Sequence, residues 1–286
     1  MELISLDQIA AGIPDGSKVA VAKDYTGVSV AATVALIQRK ARNLHLVCLP
    51  IAGLQADMLI AAGCLSTVET SAVTMDEYGS SPSFLKAVRE GSIKLLDGTC
   101  PAIHAGMQAS QKGLPFMPIR GVIGSDLLRN RTDWAVIDNP FADGDPIVAI
   151  KAIDPDVALI HATAADRFGN VFFGRERDCL TLAHAAKKTY VTVESIVEGN
   201  LLDDTDKGGS VLPALYIEGI ALVPQAAWPI GFGDHYPGDA QAMRAYLQAM
   251  RNGESAAAVL EQMVAAAPWT DALSSKVIAG SEDVPA

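Results

Sequence analysis

Residues 154–171, DPDVALIHATAADRFGNV, contain the strongest indication of the fold. The Asp154–Pro155 pair is typical of a turn, and residues 157–160 form a short apolar run that predicts a buried strand. Gly169 and Asn170 both tolerate a positive φ, so the polar end of the stretch predicts a tight turn. A buried strand that runs into such a turn is typical of α/β proteins.

Outward from this stretch, short apolar segments alternate with helical segments along most of the chain. Apolar strands of this kind are typical of a parallel sheet buried on both faces. We therefore predict an α/β fold with an open, mostly parallel sheet, flanking helices and a helical C-terminal appendage. Residues 1–230 would form the α/β domain, and residues 231–286 a helical extension packed on it. The predicted strands lie at residues 18–22, 44–49, 68–73, 93–96, 135–138, 147–153, 157–162, 190–193 and 213–223.

Two further segments have a distinct composition. Residues 114–126 contain two prolines and two glycines, which predict a shaped loop without regular structure. Residues 239–264 form two alanine-rich helical pieces around Asn252–Gly253, and the last dozen residues are predicted to fray.

The composition excludes several classes of protein. The chain has 286 residues, half of them apolar, and a net charge of −11, which argues against disorder and against binding to nucleic acid or an anionic membrane. No apolar run reaches about 18 residues, and the first residues lack the features of a secretory signal. The four cysteines show no C-x-x-C spacing, which favours reduced thiols and a cytoplasmic location. The five histidines lack metal-ligand spacing, and no nucleotide fingerprint occurs, so we expect no metal or nucleotide cofactor.

Four segments are candidate parts of a site, because each follows a predicted strand or lies in the shaped loop at residues 114–126. Ligands of open α/β sheets bind beyond the carboxyl ends of the strands, which selects residues 23–27, 97–100, 120–126 and 166–170. Any of these segments could equally be structural. His161 continues an apolar strand, so we interpret it as a core histidine with a satisfied ring.

Cys100 and His104 are the most specific indication of chemistry in the sequence. Cys100 lies at the start of a predicted helix, where free N–H groups favour a thiolate, and His104 is one turn further on. The pair could act as a nucleophile and its base if a third group held the histidine. The preferred, simpler interpretation is a cysteine capping a helix beside a partly buried histidine.

The loop at residues 120–126 offers a second possibility. Arg120 is a donor, Gly121 and Gly124 allow close approach of the backbone, and Ser125 adds a hydroxyl. This set could hold a phosphate or a carboxylate. A connector that needs glycine only for its geometry is the alternative.

Several of these motifs together resemble a known family. Besides residues 154–171, they are GLPFMP at 113–118 followed by Gly121 and Gly124–Ser125, NPF at 139–141, and AAKKT at 185–189 followed by ESIV at 194–197. The chain resembles the α subunits of family I CoA-transferases, such as that of glutaconate CoA-transferase, over residues 18–223. The resemblance implies the open α/β sheet shared by CoA-transferases and sugar-phosphate isomerases.

The resemblance also implies a function. Enzymes of this family move CoA between carboxylic acids through a glutamyl-CoA thioester, and the glutamate belongs to the β subunit. The chain would then be the α subunit of a heteromeric enzyme, with an acyl-CoA and a small dicarboxylate or 3-oxo acid as substrates. The catalytic glutamate would lie on the partner, with Cys100 as a possible catalytic residue here. The substrate-binding residues would be Lys23, Tyr25, Gly27, Cys100, Arg120, Gly121, Gly124 and Ser125.

Two departures from the family pattern leave other functions open. Residues 22–27 carry charges and an aromatic ring where the family has a glycine-rich loop. Cys100 stands where most of these transferases have a glutamine and some steroid-ring-opening hydrolases have a glutamate. The alternatives are therefore the α subunit of an acyl-CoA hydrolase, or a non-catalytic scaffold subunit.

Overall fold

A computed structural model describes residues 2–274 of the chain. Within these residues the helices are α1 (Leu6–Ala11), α2 (Val30–Gln38), α3 (Leu54–Ala61), α4 (Pro82–Glu90), α5 (Cys100–Gln111), α6 (Leu127–Asn130), α7 (Arg177–Ala185), α8 (Ala240–Arg251), α9 (Ala256–Ala266) and α10 (Thr270–Ser274). The predicted fraying of the last dozen residues concerns positions outside the described part.

The strands form two separate sheets. They are β1 (Lys18–Ala22), β2 (Leu44–Leu49), β3 (Leu65–Thr70), β4 (Lys94–Asp97), β5 (Phe116–Ile119), β6 (Trp134–Ile137), β7 (Ile147–Lys151), β8 (Val157–Asp166), β9 (Val171–Phe172), β10 (Lys188–Val197), β11 (Val211–Leu212) and β12 (Gly219–Leu222). The larger sheet has nine strands and the smaller has three.

Seven strands of the larger sheet are parallel, in the order β4-β3-β2-β1-β8-β10-β12. The order reverses between β1 and β8, and such a reversal opens a crevice at the carboxyl ends of the strands. β8 and β10 continue past the end of β1, and the short antiparallel strands β9 and β11 extend this part of the sheet. The predicted open, mostly parallel sheet is confirmed.

Helices cover both faces of the larger sheet. α1, α2 and α3 pack on one face together with Val19 and Val21 of β1, whereas Ala20 and Ala22 face the other core, beside α5 and α7. Because both faces are covered, the strands need no polar side, which explains their apolar sequences. At one outer strand of the sheet, the N–H of Ile4 donates to the carbonyl oxygen of Ile220 in β12 at 2.9 Å.

The three-stranded antiparallel sheet β5-β7-β6 packs on α5 and was not predicted. The expectation that residues 114–126 contain no regular element is wrong, because Phe116–Ile119 forms β5. Pro118 is tolerated there because β5 is an outer strand that pairs only with β7. The rest of the segment is irregular, as expected.

The C-terminal helices pack on the same core as α1, α2 and α3. Met243, Leu247 and Leu260 are buried in that core, and the Tyr246 hydroxyl donates to Asp57 of α3 at 2.8 Å. The two alanine-rich helices on either side of Asn252–Gly253 are therefore confirmed as α8 and α9. A domain boundary at residue 230 stays a prediction.

Candidate active site

Three strands of the larger sheet end at residues with reactive or charged side chains. Lys23 follows β1, Ser71 follows β3, and Cys100 begins α5 just after β4. Cys100 is exposed, and its Sγ lies 3.1 Å from Ser71 Oγ. Because the Ser71 hydroxyl donates to the carbonyl of Pro50 at 2.8 Å, the Cys100 thiol is the donor towards Ser71. The cap of α5 is Thr99, so Cys100 is free of that role.

His104 is held one turn below Cys100 but does not contact its thiol. Nδ1 lies 2.9 Å from the carbonyl oxygen of Cys100, and Nε2 lies 3.2 Å from Asp178 Oδ1. The bond to Asp178 raises the pKa of His104; burial opposes the rise and the Cys100 carbonyl adds to it. Both ring nitrogens face acceptors, so His104 has no free lone pair with which to deprotonate Cys100. In this arrangement the two residues are neighbours and do not form a nucleophile–base pair.

Two carboxylates at the start of α7 belong to this neighbourhood. Asp178 is the group that holds the His104 ring, and the sequence alone did not identify it. Glu176 is half-buried, and its carboxylate has no hydrogen-bond partner within residues 2–274. Burial and the charge of Asp178 raise the pKa of Glu176, whereas Lys23 opposes the rise. Only the position of Glu176 before a predicted helix could have suggested it.

Asp24 lies in the candidate segment 23–27, but the sequence interpretation assigned it no role. It is 6% exposed at the end of β1, and its Oδ2 accepts the N–H of Leu54 at 3.0 Å. Gly53 makes this approach possible, because a Cβ there would lie 2.0 Å from Oδ2. Burial raises the pKa of Asp24 to about 7, although the Leu54 bond opposes the rise. A carboxyl group that exchanges its proton near neutral pH therefore stands directly beside Lys23.

The loop that follows β1 contacts a C-terminal segment of the chain. Tyr25 has a φ of 68°, and its hydroxyl lies 3.4 Å from Glu77 Oε1. The N–H of Gly233 donates to the carbonyl of Tyr25 at 3.2 Å. Lys23 and Tyr25 are both partly exposed. Both are thus accessible at the carboxyl edge of the sheet.

Gly27 occupies a position that only glycine can fill. Its φ is 123°, and a Cβ would lie 2.8 Å from Cys179 Sγ and 2.9 Å from the carbonyl oxygen of His161. Its own carbonyl accepts the N–H of His161 at 2.7 Å. Gly27 is buried, and these contacts bring the loop against β8.

Replacing Gly27 with alanine should therefore lower the free energy of unfolding by about 2–4 kcal/mol, from backbone strain and overpacking together. Gly16→Ala is the matched control, because Gly16 also has a positive φ but has nothing within 4 Å of the added Cβ. Chemical denaturation of both variants measures the difference. Equal losses for the two variants would show that the contacts with Cys179 and His161 do not matter.

The predicted anion loop is braced internally. Arg120 forms an ion pair with Asp145 at 2.6 Å, with 71% of the arginine side chain exposed. Ser125 Oγ donates to the carbonyl of Val122 at 2.6 Å, and Gly124 has a φ of 77°. Gly121 is exposed. Within the described residues, no hydrogen bond joins this loop to Cys100.

Arg131 connects the segment that follows this loop to the larger sheet. Its guanidinium donates to Glu69 of β3 at 2.7 Å and to the carbonyls of Leu96 and Asp97 in β4 at 3.4 and 3.3 Å. These groups lie at the carboxyl ends of the two strands. The segment that carries Arg120, Gly121, Gly124 and Ser125 is thus tied to the same edge as Cys100.

The turn at residues 166–170 has a structural role. Asp166 Oδ1 accepts the N–H groups of Phe168 and Asn170, and Oδ2 accepts the side chain of Asn170 and the N–H of Leu201. Burial raises the pKa of Asp166, but these hydrogen bonds outweigh it and lower the value. With its carboxylate fully engaged, Asp166 fixes the turn and is not available to a ligand.

An open parallel sheet with these loops at its carboxyl edge defines a class of protein. Glutaconate CoA-transferase from Acidaminococcus fermentans has the same fold: the TM-score is 0.87, the identity 24%, and the match covers 98% of this chain and 93% of that one. The family model described as "Coenzyme A transferase" matches residues 4–221. The chain belongs to the coenzyme A transferase family, as the sequence motifs predicted.

Two relatives show how far the similarity extends. The A subunit of 3-oxoadipate CoA-transferase from Pseudomonas knackmussii is 28% identical over 271 residues, which cover 92% of this chain and 93% of the relative. An uncharacterized protein from Archaeoglobus fulgidus is 31% identical over 211 residues. That match covers 73% of this chain, which spans only about half (46%) of the Archaeoglobus protein.

Residues 2–274 hold neither a metal-ligand group nor a membrane-spanning helix. No group of three His, Cys, Asp or Glu side chains there is arranged to hold a metal ion. No helix in that part of the chain has the length and apolarity needed to cross a membrane. The expected lack of a cofactor, of nucleic-acid and membrane partners, and the cytoplasmic location stay predictions.

Proposed function

We propose that the chain is the α subunit of a heteromeric CoA-transferase that moves CoA between carboxylic acids. The acceptor would be a small dicarboxylate or a 3-oxo acid, and the nucleophilic glutamate would come from a separate β subunit. The observation that carries the proposal is the family match over residues 4–221, which includes every loop of the candidate site. Similarity to the A subunit of 3-oxoadipate CoA-transferase along 92% of the chain supports the same class of substrate.

The burial and hydrogen bonding of the carboxylates at the carboxyl edge of the sheet support a nucleophile that belongs to another chain. Asp24 is buried, Asp166 is engaged by four donors, and Asp178 holds His104. A carboxylate whose lone pairs accept hydrogen bonds is a poor nucleophile, because attack must first break those bonds. Glu176 is the exception in this neighbourhood, so it must be tested directly.

Exposed apolar side chains support a partner. Phe141 is 94% exposed and Leu215 is 88% exposed. Asn139 Oδ1 accepts the N–H of Phe141, and Asn139 Nδ2 donates to Asp145, so hydrogen bonds hold the turn that carries Phe141. A large aromatic side chain exposed to water is typical of a surface that another chain covers.

The accessible residues of the edge have distinct proposed roles. Lys23 and Arg120 would attract the substrate carboxylate. The Arg120–Asp145 pair is exposed and therefore weak, so a substrate can displace it. Cys100 would line the acyl site, while Gly121, Gly124 and Ser125 would shape its wall and Tyr25 and Gly27 would hold the loop after β1.

The test begins with the complex purified from its own cells and weighed by native mass spectrometry. Acetyl-CoA is then added, and intact-mass and peptide analysis locate any CoA-sized adduct. An adduct on a glutamate of a second chain supports the proposal. An adduct on Glu176 contradicts the assignment of the nucleophile, release of free CoA without an adduct favours the hydrolase, and a homo-oligomer without a partner contradicts the half-enzyme.

Activity of variants separates the enzyme from the non-catalytic scaffold subunit. Cys100→Ala and Ser125→Ala should each lower kcat/KM of the complex by about tenfold or more, since each removes a polar group from the proposed site. Cys100→Ser, which keeps a donor towards Ser71, should recover part of the loss. Full activity in both alanine variants, with partner binding unchanged, would favour the scaffold.

A further inference from the structure

Gln225 holds an unfavourable backbone conformation at the carboxyl end of β12. Its φ is 58° and its side chain is exposed. The left-handed region is disfavoured for residues with a Cβ, so a non-glycine residue stays there only when its surroundings impose it. Such residues are concentrated at functional sites.

Glu194, at the same edge in β10, imposes the conformation of Gln225. The N–H of Gln225 donates to both carboxylate oxygens of Glu194, at 3.0 Å to Oε1 and 2.9 Å to Oε2. The Tyr236 hydroxyl also donates to Oε1 at 3.1 Å and in turn accepts the N–H of Ala227. Glu194 thus fixes both ends of residues 225–236.

His161 holds Glu194 from inside the protein. The ring is fully buried, with Nε2 2.5 Å from Glu194 Oε1 and Nδ1 3.0 Å from the carbonyl oxygen of Thr192. Nδ1 also lies 2.9 Å from Thr192 Oγ1, and Phe232 packs on the ring at 4.6 Å between ring centroids. The expected core histidine is confirmed, and its partner is the carboxylate that positions Gln225.

A buried hydrogen-bonded pair of this kind adds little to stability, because burial also removes the hydrogen bonds that both groups make to water. Its effect here is to specify one conformation of residues 225–236. The same segment reaches the loop after β1, where Gly233 donates to the Tyr25 carbonyl. The two left-handed residues Tyr25 and Gln225 are therefore joined at one edge of the sheet.

We propose that the side-chain amide of Gln225 binds the acyl carbonyl or carboxylate group of the substrate, and that Glu194 is a positioning residue that acts through the Gln225 backbone. This inference rests on the proposed acyl-CoA function. The amide suits such a ligand because it donates to carbonyl and carboxylate oxygens without adding charge. Glu194 itself is excluded as the nucleophile, because its two oxygens already accept bonds from three groups.

The test compares Gln225→Gly with wild type in the native complex, with acetyl-CoA as donor and glutaconate or 3-oxoadipate as acceptor. Glycine relieves the backbone strain at position 225 and removes the side-chain amide. The midpoint of thermal unfolding should therefore stay equal or rise, while the KM for the substrate should rise by about tenfold. Lys40→Gly is the matched control: Lys40 is exposed with a φ of 61° but lies near the amino ends of the strands. Its KM should not change.

Glu194→Gln tests the positioning role. It should raise KM as Gln225→Gly does, and the double variant should show no further rise, because both act through the same amide. An unchanged KM in Gln225→Gly would overturn the proposal. Loss of the partner from that variant in native mass spectrometry would overturn it in favour of an intersubunit contact.

A failure of the proposed function would be detected separately, by measuring CoA transfer in the wild-type complex. If that complex transfers no CoA, the proposed function fails before any variant is examined. Titration calorimetry with acetyl-CoA then decides the role of Gln225. Tenfold weaker binding by Gln225→Gly but not by Lys40→Gly would support it, and equal binding would refute it.

Discussion

Replacing Arg131 with alanine is expected to lower the free energy of unfolding by about 3–5 kcal/mol. Arg131 is only 1% exposed, and its guanidinium bonds to Glu69 and Asp133 and lies 4.2 Å from the centroid of the Trp134 ring. Without it, Glu69 stays buried and loses its arginine partner, while His45 remains 3.0 Å away. Arg129→Ala is the control, because the exposed Arg129 should contribute no more than about 0.5 kcal/mol.

The pH dependence of the same variant provides a second check. Burial raises the pKa of Glu69, but the bond from His45 and the charge of Arg131 outweigh it and lower the value. In wild type, Glu69 therefore stabilises the fold above the pKa it has when unfolded, and this contribution is lost as pH falls through the lowered folded value. In Arg131→Ala, burial dominates and the folded pKa rises. The difference in the free energy of unfolding between wild type and Arg131→Ala should therefore become smaller as pH falls from about 7 to about 5. A difference that does not change with pH would contradict the role of Glu69.

Replacing Asp57 with alanine should have an effect of similar size, about 3–5 kcal/mol, because several buried donors lose their acceptor together. Asp57 is fully buried and accepts the hydroxyls of Ser81, Ser83 and Tyr246 and the N–H of Ser83. It thereby links α3 to the start of α4 and to α8. Urea denaturation followed by tryptophan fluorescence measures the loss.

Tyr246→Phe is the matched control for Asp57→Ala. It removes one hydrogen bond and keeps the ring, so it should lower stability by only about 1 kcal/mol. Limited proteolysis should then cut the C-terminal helices faster in Asp57→Ala than in Tyr246→Phe. If the two variants lose the same stability, Asp57 does not act as a shared acceptor.

The parallel sheet was predictable because its cause is local. Apolar strands such as residues 157–162 and helices with clear ends, such as the one begun by Ser81 and Pro82, follow from neighbouring residues. The small antiparallel sheet was not predictable, because Pro118 indicates a loop until β7 is known to lie beside it. Pairing with β7, about thirty residues away in the sequence, overrides the local preference.

Part of the candidate site was likewise predictable from the sequence, and part was not. The position of Cys100 at the carboxyl edge follows from a strand, a turn and a helix start that are adjacent in sequence. The partner of His104 does not, because Asp178 is 74 residues away and belongs to another helix. Gln225 carries no signal at all, since its conformation depends on Glu194, His161 and Tyr236, which only the folded chain brings together.

Two outer strands of the larger sheet, β12 and β4, bear on how the protein can associate. Parallel strands at the margin of a sheet present N–H and C=O groups on which another chain can build by strand addition. Here Ile4 occupies the Ile220 carbonyl of β12, and Arg131 occupies the Asp97 carbonyl of β4. Each contact takes up an acceptor that strand addition at β12 or β4 would use. A second subunit that binds through loops and helix faces at the carboxyl edge would need neither strand.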